Sequence, residues 1–233
     1  MTLFPASERG HFDFGWLNTY HSFSFGQYFN PESMNFGMLR VLNDDLVAPG
    51  EGFGTHPHNN MEIITIPLEG VVMHRDSMGH EEGLHPGDVQ VMSAGTGLTH
   101  SEFNGSPTDV LKLLQIWIIP NERNVEPRYD QIEINDAAQN TLYTIVGPRD
   151  AGLPLWITQN AWISLGVLSP DTTVTHTSQA EGTGVFIFVI EGAVHIGEQR
   201  LGRRDAVGIV ETTSVDITSD SNAYVLVIEV PMA

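Results

Sequence analysis

Glycine and proline recur so densely along this chain that little room is left for a long helix: 23 Gly and 13 Pro interrupt 233 residues. Between them lie short apolar or alternating runs, at Glu62 to Leu68, Val89 to Met92, Val110 to Ile119, Val185 to Ile190 and Ala223 to Val230. Such runs, bounded by turn formers, predict strands. Short helical turns are expected only around Glu122 to Tyr129 and Asn135 to Gln139. The fold class is therefore all-β, a sandwich or a barrel.

Apolar residues make up 41% of the chain and are spread along it, which a disordered chain cannot match even at a net charge of −19. That charge also argues against a direct grip on nucleic acid, whose phosphates are bound by clustered Lys and Arg. Lys112 is the single lysine. No apolar run approaches the roughly 20 residues of a membrane helix, and the first residues lack a signal-peptide pattern, so a cytoplasmic protein off the membrane is expected. Cysteine is absent. A metal would have to be held by nitrogen and oxygen, which turns attention to the ten histidines.

A weak internal repeat subdivides the chain. ITIPLEGVVMHRDS followed by HPGDVQVM is echoed by IFVIEGAVHIGEQ followed by GRRDAVGI. In each copy a strand ends in Glu-Gly, at Gly70 and Gly192, and an Asp turn follows, at Asp88 and Asp205. Two similar β-units are expected, joined within the polar stretch from Pro120 to Asp136. The division is placed at 1–128 and 129–233.

The sharpest local signal is GTHPHNNMEI. His56 and His58 lie two apart, so on a strand both imidazoles project to one face. A second pair, His100 and Glu102, has the same spacing in THSEFN. Two adjacent strands, each offering two inward ligands, make a site of three imidazoles and one carboxylate. That donor set suits Fe(II), Mn, Co, Ni, Cu or Zn.

The order of ligand pair, hairpin, Gly-Asp turn and second ligand pair resembles the two cupin motifs. Gly50, His56, His58, Glu62 and Gly70 match the first, and Gly87, Asp88, Gly97, His100 and Asn104 the second. HSFSFGQYF, GMLRVLNDD, GFGTHPHNNMEI, MSAGTGLTHSE and LLQIWIIP narrow the resemblance to the pirin family, in particular its bacterial members of the quercetin 2,3-dioxygenase type. These blocks cover nearly all of residues 13 to 130. Asn59 departs from the pattern, standing where pirins often carry a basic residue.

The resemblance implies a bicupin, two antiparallel jelly-roll-like β-barrels packed face to face, with metal in the N-terminal barrel only. It implies His56, His58, His100 and Glu102 as ligands of one divalent ion, Fe(II) first, with Ni, Cu, Mn, Co or Zn as alternatives. An ordinary cupin would take its carboxylate from Glu62; the resemblance moves that role to Glu102. Glu62 shares the parity of His56 and His58, which predicts that it orients a ligand histidine. The implied activity is oxidative cleavage of a flavonol such as quercetin by O2 to a depside and carbon monoxide, with Glu102 as general base. A different class of function, a metal- or redox-dependent regulator that binds a protein partner, is the alternative.

Phe53, Met73, Met92, Phe103 and Trp117 are candidate substrate-pocket residues. His74, His80 and His85 read as solvated loop residues, as do His11, His21, His176 and His195. No Ser has a His and an Asp at a recognisable nucleophile spacing. Gly95-Thr96-Gly97 reads as a tight turn delivering His100 rather than as a phosphate loop.

Overall fold

The computed structural model describes residues 1–134 and 139–233. Its first strands are β1 (Thr2–Phe4), β2 (Gly10–Asp13), β3 (Leu17–His21), β4 (Leu39–Val47), β5 (Gly52–His58) and β6 (Glu62–Glu69). They continue with β7 (Val72–Asp76), β8 (Glu81–Leu84), β9 (Asp88–Ser93), β10 (Leu98–Asn104), β11 (Leu111–Ile118) and β12 (Arg128–Glu133). Next come β13 (Tyr143–Pro148), β14 (Leu155–Ile157), β15 (Trp162–Leu168), β16 (Thr173–Thr177) and β17 (Thr183–Glu191). The last are β18 (Val194–Ile196), β19 (Gln199–Leu201), β20 (Ala206–Val210), β21 (Ser214–Ser219) and β22 (Ala223–Pro231).

The strands form two cupin domains, each a seven-stranded sheet over a four-stranded one. The first pairs β12-β9-β6-β11-β4-β3-β2 with β5-β10-β7-β8, and the second pairs β1-β20-β17-β22-β15-β13-β14 with β16-β21-β18-β19. All pairings between named strands are antiparallel except β13 with β14, which run parallel. The expected jelly-roll-like barrels are each two facing sheets, since no ladder joins the large and small sheets of either domain among the described residues. Two strands are exchanged across the expected division at 128: β1 pairs with β20, and β12 pairs with β9. The helical turn expected over Glu122 to Tyr129 is absent, its last residues lying in β12. The other, at Asn135 to Gln139, falls outside the described residues except for Gln139.

The strands of the large sheets are buried on both faces, which is why they read as continuous apolar runs. In β11, Leu114, Ile116 and Ile118 face the core between the two domains, where they join Leu42, Ile64 and Ile66 of the first large sheet and Phe186, Phe188 and Ile228 of the second. Phe186 packs on Phe4, Phe23 and Phe36 with ring centroids 5.1 to 5.6 Å apart. The alternate residues Leu111 and Leu113 face the small sheet with Val72 and Leu84. Gln115 and Trp117 continue that inner face into the cavity described next.

Candidate metal centre

His56 and His58 come from β5 and His100 and Glu102 from β10, two neighbouring strands of the first small sheet. His100 lies opposite His56, and Glu102 opposite Phe53. Two residues of β5, Gly54 and Thr55, therefore face one of β10, Ser101. This β-bulge resets the alternation, so that Phe53 and His56, three apart, point to the same side. The three imidazole centroids are 4.5 to 4.8 Å apart, with His56 Nε2 3.1 Å from His100 Nε2. His56 Nδ1 lies 2.8 Å from the Gly54 carbonyl and donates to it, which leaves the Nε2 lone pair aimed inward.

Opposite the imidazoles, the large sheet supplies polar groups from otherwise apolar strands. Thr65 Oγ1 donates to Glu102 Oε1 at 3.0 Å and Gln115 Nε2 to Glu102 Oε2 at 3.1 Å. Asn43 and Asp45 of β4 complete that wall, and Thr19 Oγ1 donates to Asp45 at 2.5 Å. Phe25, Phe53 and Trp117 close the cavity with apolar rings; Trp117 stands edge-on to both His58 and Phe25. The enclosed volume is about 70 Å³.

Burial shapes the charge of every group here. It pulls His58 down to about 4, with His56 adding to the effect, and His100 to about 2, with His56 and His58 adding. Burial pushes Glu102 up to about 7 against the hydrogen bond from Thr65, and Asp45 up to about 7 against that from Thr19. The imidazoles of His58 and His100 are thus neutral. No Lys or Arg forms an ion pair with Glu102 among the described residues. His56, His58 and His100 bring one nitrogen each within 4.8 Å of one another, whereas Glu102 comes that close together with His100 and His74 and lines the same cavity with no cation beside it; these donors fit a divalent metal ion, which would repay their desolvation.

The structure redistributes other expected residues. Glu62 is in phase with Ile64 and Ile66, facing the seam between the domains, and its carboxylate accepts from Ser93 at 2.6 Å and from Thr158. It touches no histidine, because the turn at Asn60, with φ at 47°, breaks the parity that β5 would hand to β6. Met73 and Phe103 pair on the outer face of the small sheet, 41% and 39% exposed. Met92 is buried with Ile63, Ala94 and Leu98, beside the cavity rather than in its wall.

His74, expected in a loop, is buried on β7, where the alternation Val72, His74, Asp76 points inward. A nitrogen of His74, one of His100 and an oxygen of Glu102 lie within 4.8 Å of one another, a second possible donor group. His74 Nε2 is 3.4 Å from Asp76, and its ring packs against His100 and Tyr129. His21 and His176 are also buried, bonded to Asn43 at 2.7 Å and Glu229 at 2.9 Å. The period-2 pattern of MHRD could have revealed His74, and isolated polar residues in apolar strands could have revealed Asn43, Asp45, Thr65 and Gln115. Gly95 (φ 48°) and Gly97 (φ 128°) form the expected turn into β10, where a side chain on Gly95 would strike the Val125 carbonyl.

Residues 5–118 match the Pirin family model, and residues 144–230 match the quercetinase C-terminal cupin domain. The chain is 42% identical to a protein named quercetin 2,3-dioxygenase from Escherichia coli K12, over 98% of each chain. It is 34% identical to a pirin-like protein of Caulobacter vibrioides over 97% of each. In structure it is similar to the bacterial pirin YhhW of Escherichia coli in complex with nickel(II), with a TM-score of 0.93, 40% identity, and coverage of 100% of this chain and 99% of that one.

Proposed function

The chain belongs to the pirin family, and on that premise we propose that it is a metal-dependent dioxygenase that cleaves a flavonol such as quercetin with O2, yielding a depside and carbon monoxide. The observation that carries this reading is the cluster of three imidazoles, His56, His58 and His100, in one apolar-walled cavity that the buried carboxylate of Glu102 also lines. The names of its relatives, and a nickel(II) complex of one of them, support the same class.

His56, His58, His100 and Glu102 would hold one divalent ion, Fe(II) first, with Ni, Cu, Mn, Co or Zn compatible with the same donors. When bound, the ion supplies Lewis acidity that makes the flavonol's 3-hydroxyl a stronger acid. Glu102, whose carboxyl burial pushes up to about 7 before any ion binds, is the chain's acceptor for that hydroxyl proton. Thr65 and Gln115 hold its carboxylate in place, and Trp117 Nε1 donates to Gln115 Oε1 at 3.4 Å, tying the base to the apolar wall. Phe25, Phe53 and Trp117 keep bulk water from the 3-oxygen once it has lost its proton. About 70 Å³ is far below the about 300–1,000 Å³ of sites that enclose small organic molecules, so the flavonol presents its hydroxyl edge inward and its rings lie outside.

The test is oxygen uptake and carbon monoxide release with quercetin, on protein stripped and reloaded with each metal in turn. Metal-dependent release that disappears in the His56→Ala/His58→Ala double variant is expected. Metal bound through these residues without turnover of any flavonol would overturn the assignment.

A further inference from the structure

At the seam between the two domains, away from the metal centre, a cavity of about 310 Å³ opens onto two arginines and one tryptophan. Arg128 begins β12 of the first large sheet, whereas Arg149 follows β13 and Trp156 lies in β14 of the second. Both guanidinium carbons sit over the Trp156 ring, at 3.8 Å for Arg128 and 4.7 Å for Arg149. Two like charges are thereby gathered on one ring in a chain whose net charge is −19.

The carboxylates nearby give these donors no hydrogen bond. Arg128 Nη2 donates to the Trp156 carbonyl at 2.6 Å, but its Nε and Nη1 are buried with no hydrogen-bond acceptor. Asp130 forms an ion pair with Nη1 at 3.6 Å, too long for a hydrogen bond and with its own side chain half exposed, so it screens the charge without satisfying the donor. Both oxygens of Glu62 are taken by the hydroxyls of Ser93 and Thr158, which line the same cavity. Glu126 lines the cavity too, but forms no ion pair with either arginine, and among the described residues no carboxylate pairs with Arg149. Burial lowers the Arg128 pKa; the Asp130 and Glu62 carboxylates oppose that effect only in part, and Arg149 adds to it. Buried N–H donors without acceptors are rare in native proteins and call for a partner.

We infer that this seam cavity is a binding site for a small oxyanion, a phosphate or a carboxylate, held by the guanidinium groups of Arg128 and Arg149. A planar guanidinium presents parallel N–H donors that match two oxygens of one carboxylate or phosphate. The volume has room for a phosphate ion or a short dicarboxylate, and the guanidinium donors, not the volume, select an anion. Because one arginine comes from each large sheet, the anion bridges the domains, and its binding raises the stability of the whole chain. The inference is independent of the dioxygenase reading.

The experiment is calorimetric titration of the full chain with inorganic phosphate and, separately, with succinate, in chloride background at constant ionic strength. Saturable binding of one anion per chain is expected, accompanied by a rise in Tm. Arg149→Gln changes an exposed residue and should weaken binding by about tenfold or more, the scale of losing a charge-assisted pair. Arg128→Lys keeps the charge but removes the fork, and should weaken binding as well. Metal content should be unchanged in both. Binding of phosphate alone or succinate alone identifies the class of the oxyanion. No saturable binding of either up to about 10 mM, equivalent to a Kd weaker than millimolar, would overturn the site. So would binding that both variants retain in full.

Discussion

His100 lies directly across the β5–β10 ladder from His56, and the Nε2 atoms of the two rings are 3.1 Å apart. This spacing brings two ring nitrogens to one point from two strands, and His58 adds a third. His56→Ala should remove most bound metal, because a donor itself is lost. His74→Phe, which alters only a ring packed behind His100, should weaken metal binding within the about 10–100-fold range typical of residues that support a ligand. Metal per chain after dialysis against a graded chelator separates the two. Equal loss in both variants would place His74 among the donors, as its distance to His100 and Glu102 permits.

Metal binding should release protons in a way set by Glu102. Its carboxyl is raised to about 7, so below that pH an incoming cation must displace a proton, whereas His58 at about 4 and His100 at about 2 are already neutral. Apparent affinity should therefore rise about tenfold per pH unit up to about 7 and then level off. Calorimetry in two buffers of different ionisation enthalpy should count close to one proton per metal at pH 6 and close to none above pH 8. A proton count that does not change with pH would rule out Glu102 as a ligand.

Gly52 is where β5 passes closest to β10. A Cβ there would lie 2.3 Å from the Glu102 carbonyl oxygen and 2.5 Å from Phe103 Cα. Gly52→Ala should cost about 1–3 kcal/mol, the usual scale of overpacking, and weaken metal binding by pushing the two ligand strands apart. Gly54→Ala, with nothing within 4 Å of its Cβ, is the control. Urea unfolding that shows equal losses for the two would contradict the close approach.

Glu229 anchors the second domain from a fully buried position, accepting from His176, Thr183 and the backbone N–H groups of Gln179 and Ala180. Burial works to raise its pKa, but these hydrogen bonds prevail and lower it. A carboxylate with a lowered folded pKa contributes stability that is complete above its unfolded value, near 4.5, and is lost as pH falls through the folded value. Glu229→Ala, which strands its donors, should cost about 3–5 kcal/mol at pH 7. The gap between the wild-type chain and Glu229→Gln should narrow as the pH is lowered from 6 to 3. Denaturant melts across that range check both.

Turn formers and short apolar runs were sufficient to establish an all-β chain, because their effect is local: Gly70 and Gly192 end one strand and start the next whatever the rest of the chain does. The pairs His56/His58 and His100/Glu102 were legible for the same reason, since residues two apart on one strand share a face. Parity, however, carries only as far as the next turn or bulge. The turn at Asn60 sent Glu62 to the domain seam, and the bulge at Gly54 and Thr55 brought Phe53 beside the histidines. Which side of a strand becomes a cavity depends on the sheet packed against it, and that is a long-range choice. Only the tertiary structure placed Thr65, Asp45 and Gln115 opposite the imidazoles, buried His74 behind them, and exchanged β1 and β12 between the two large sheets.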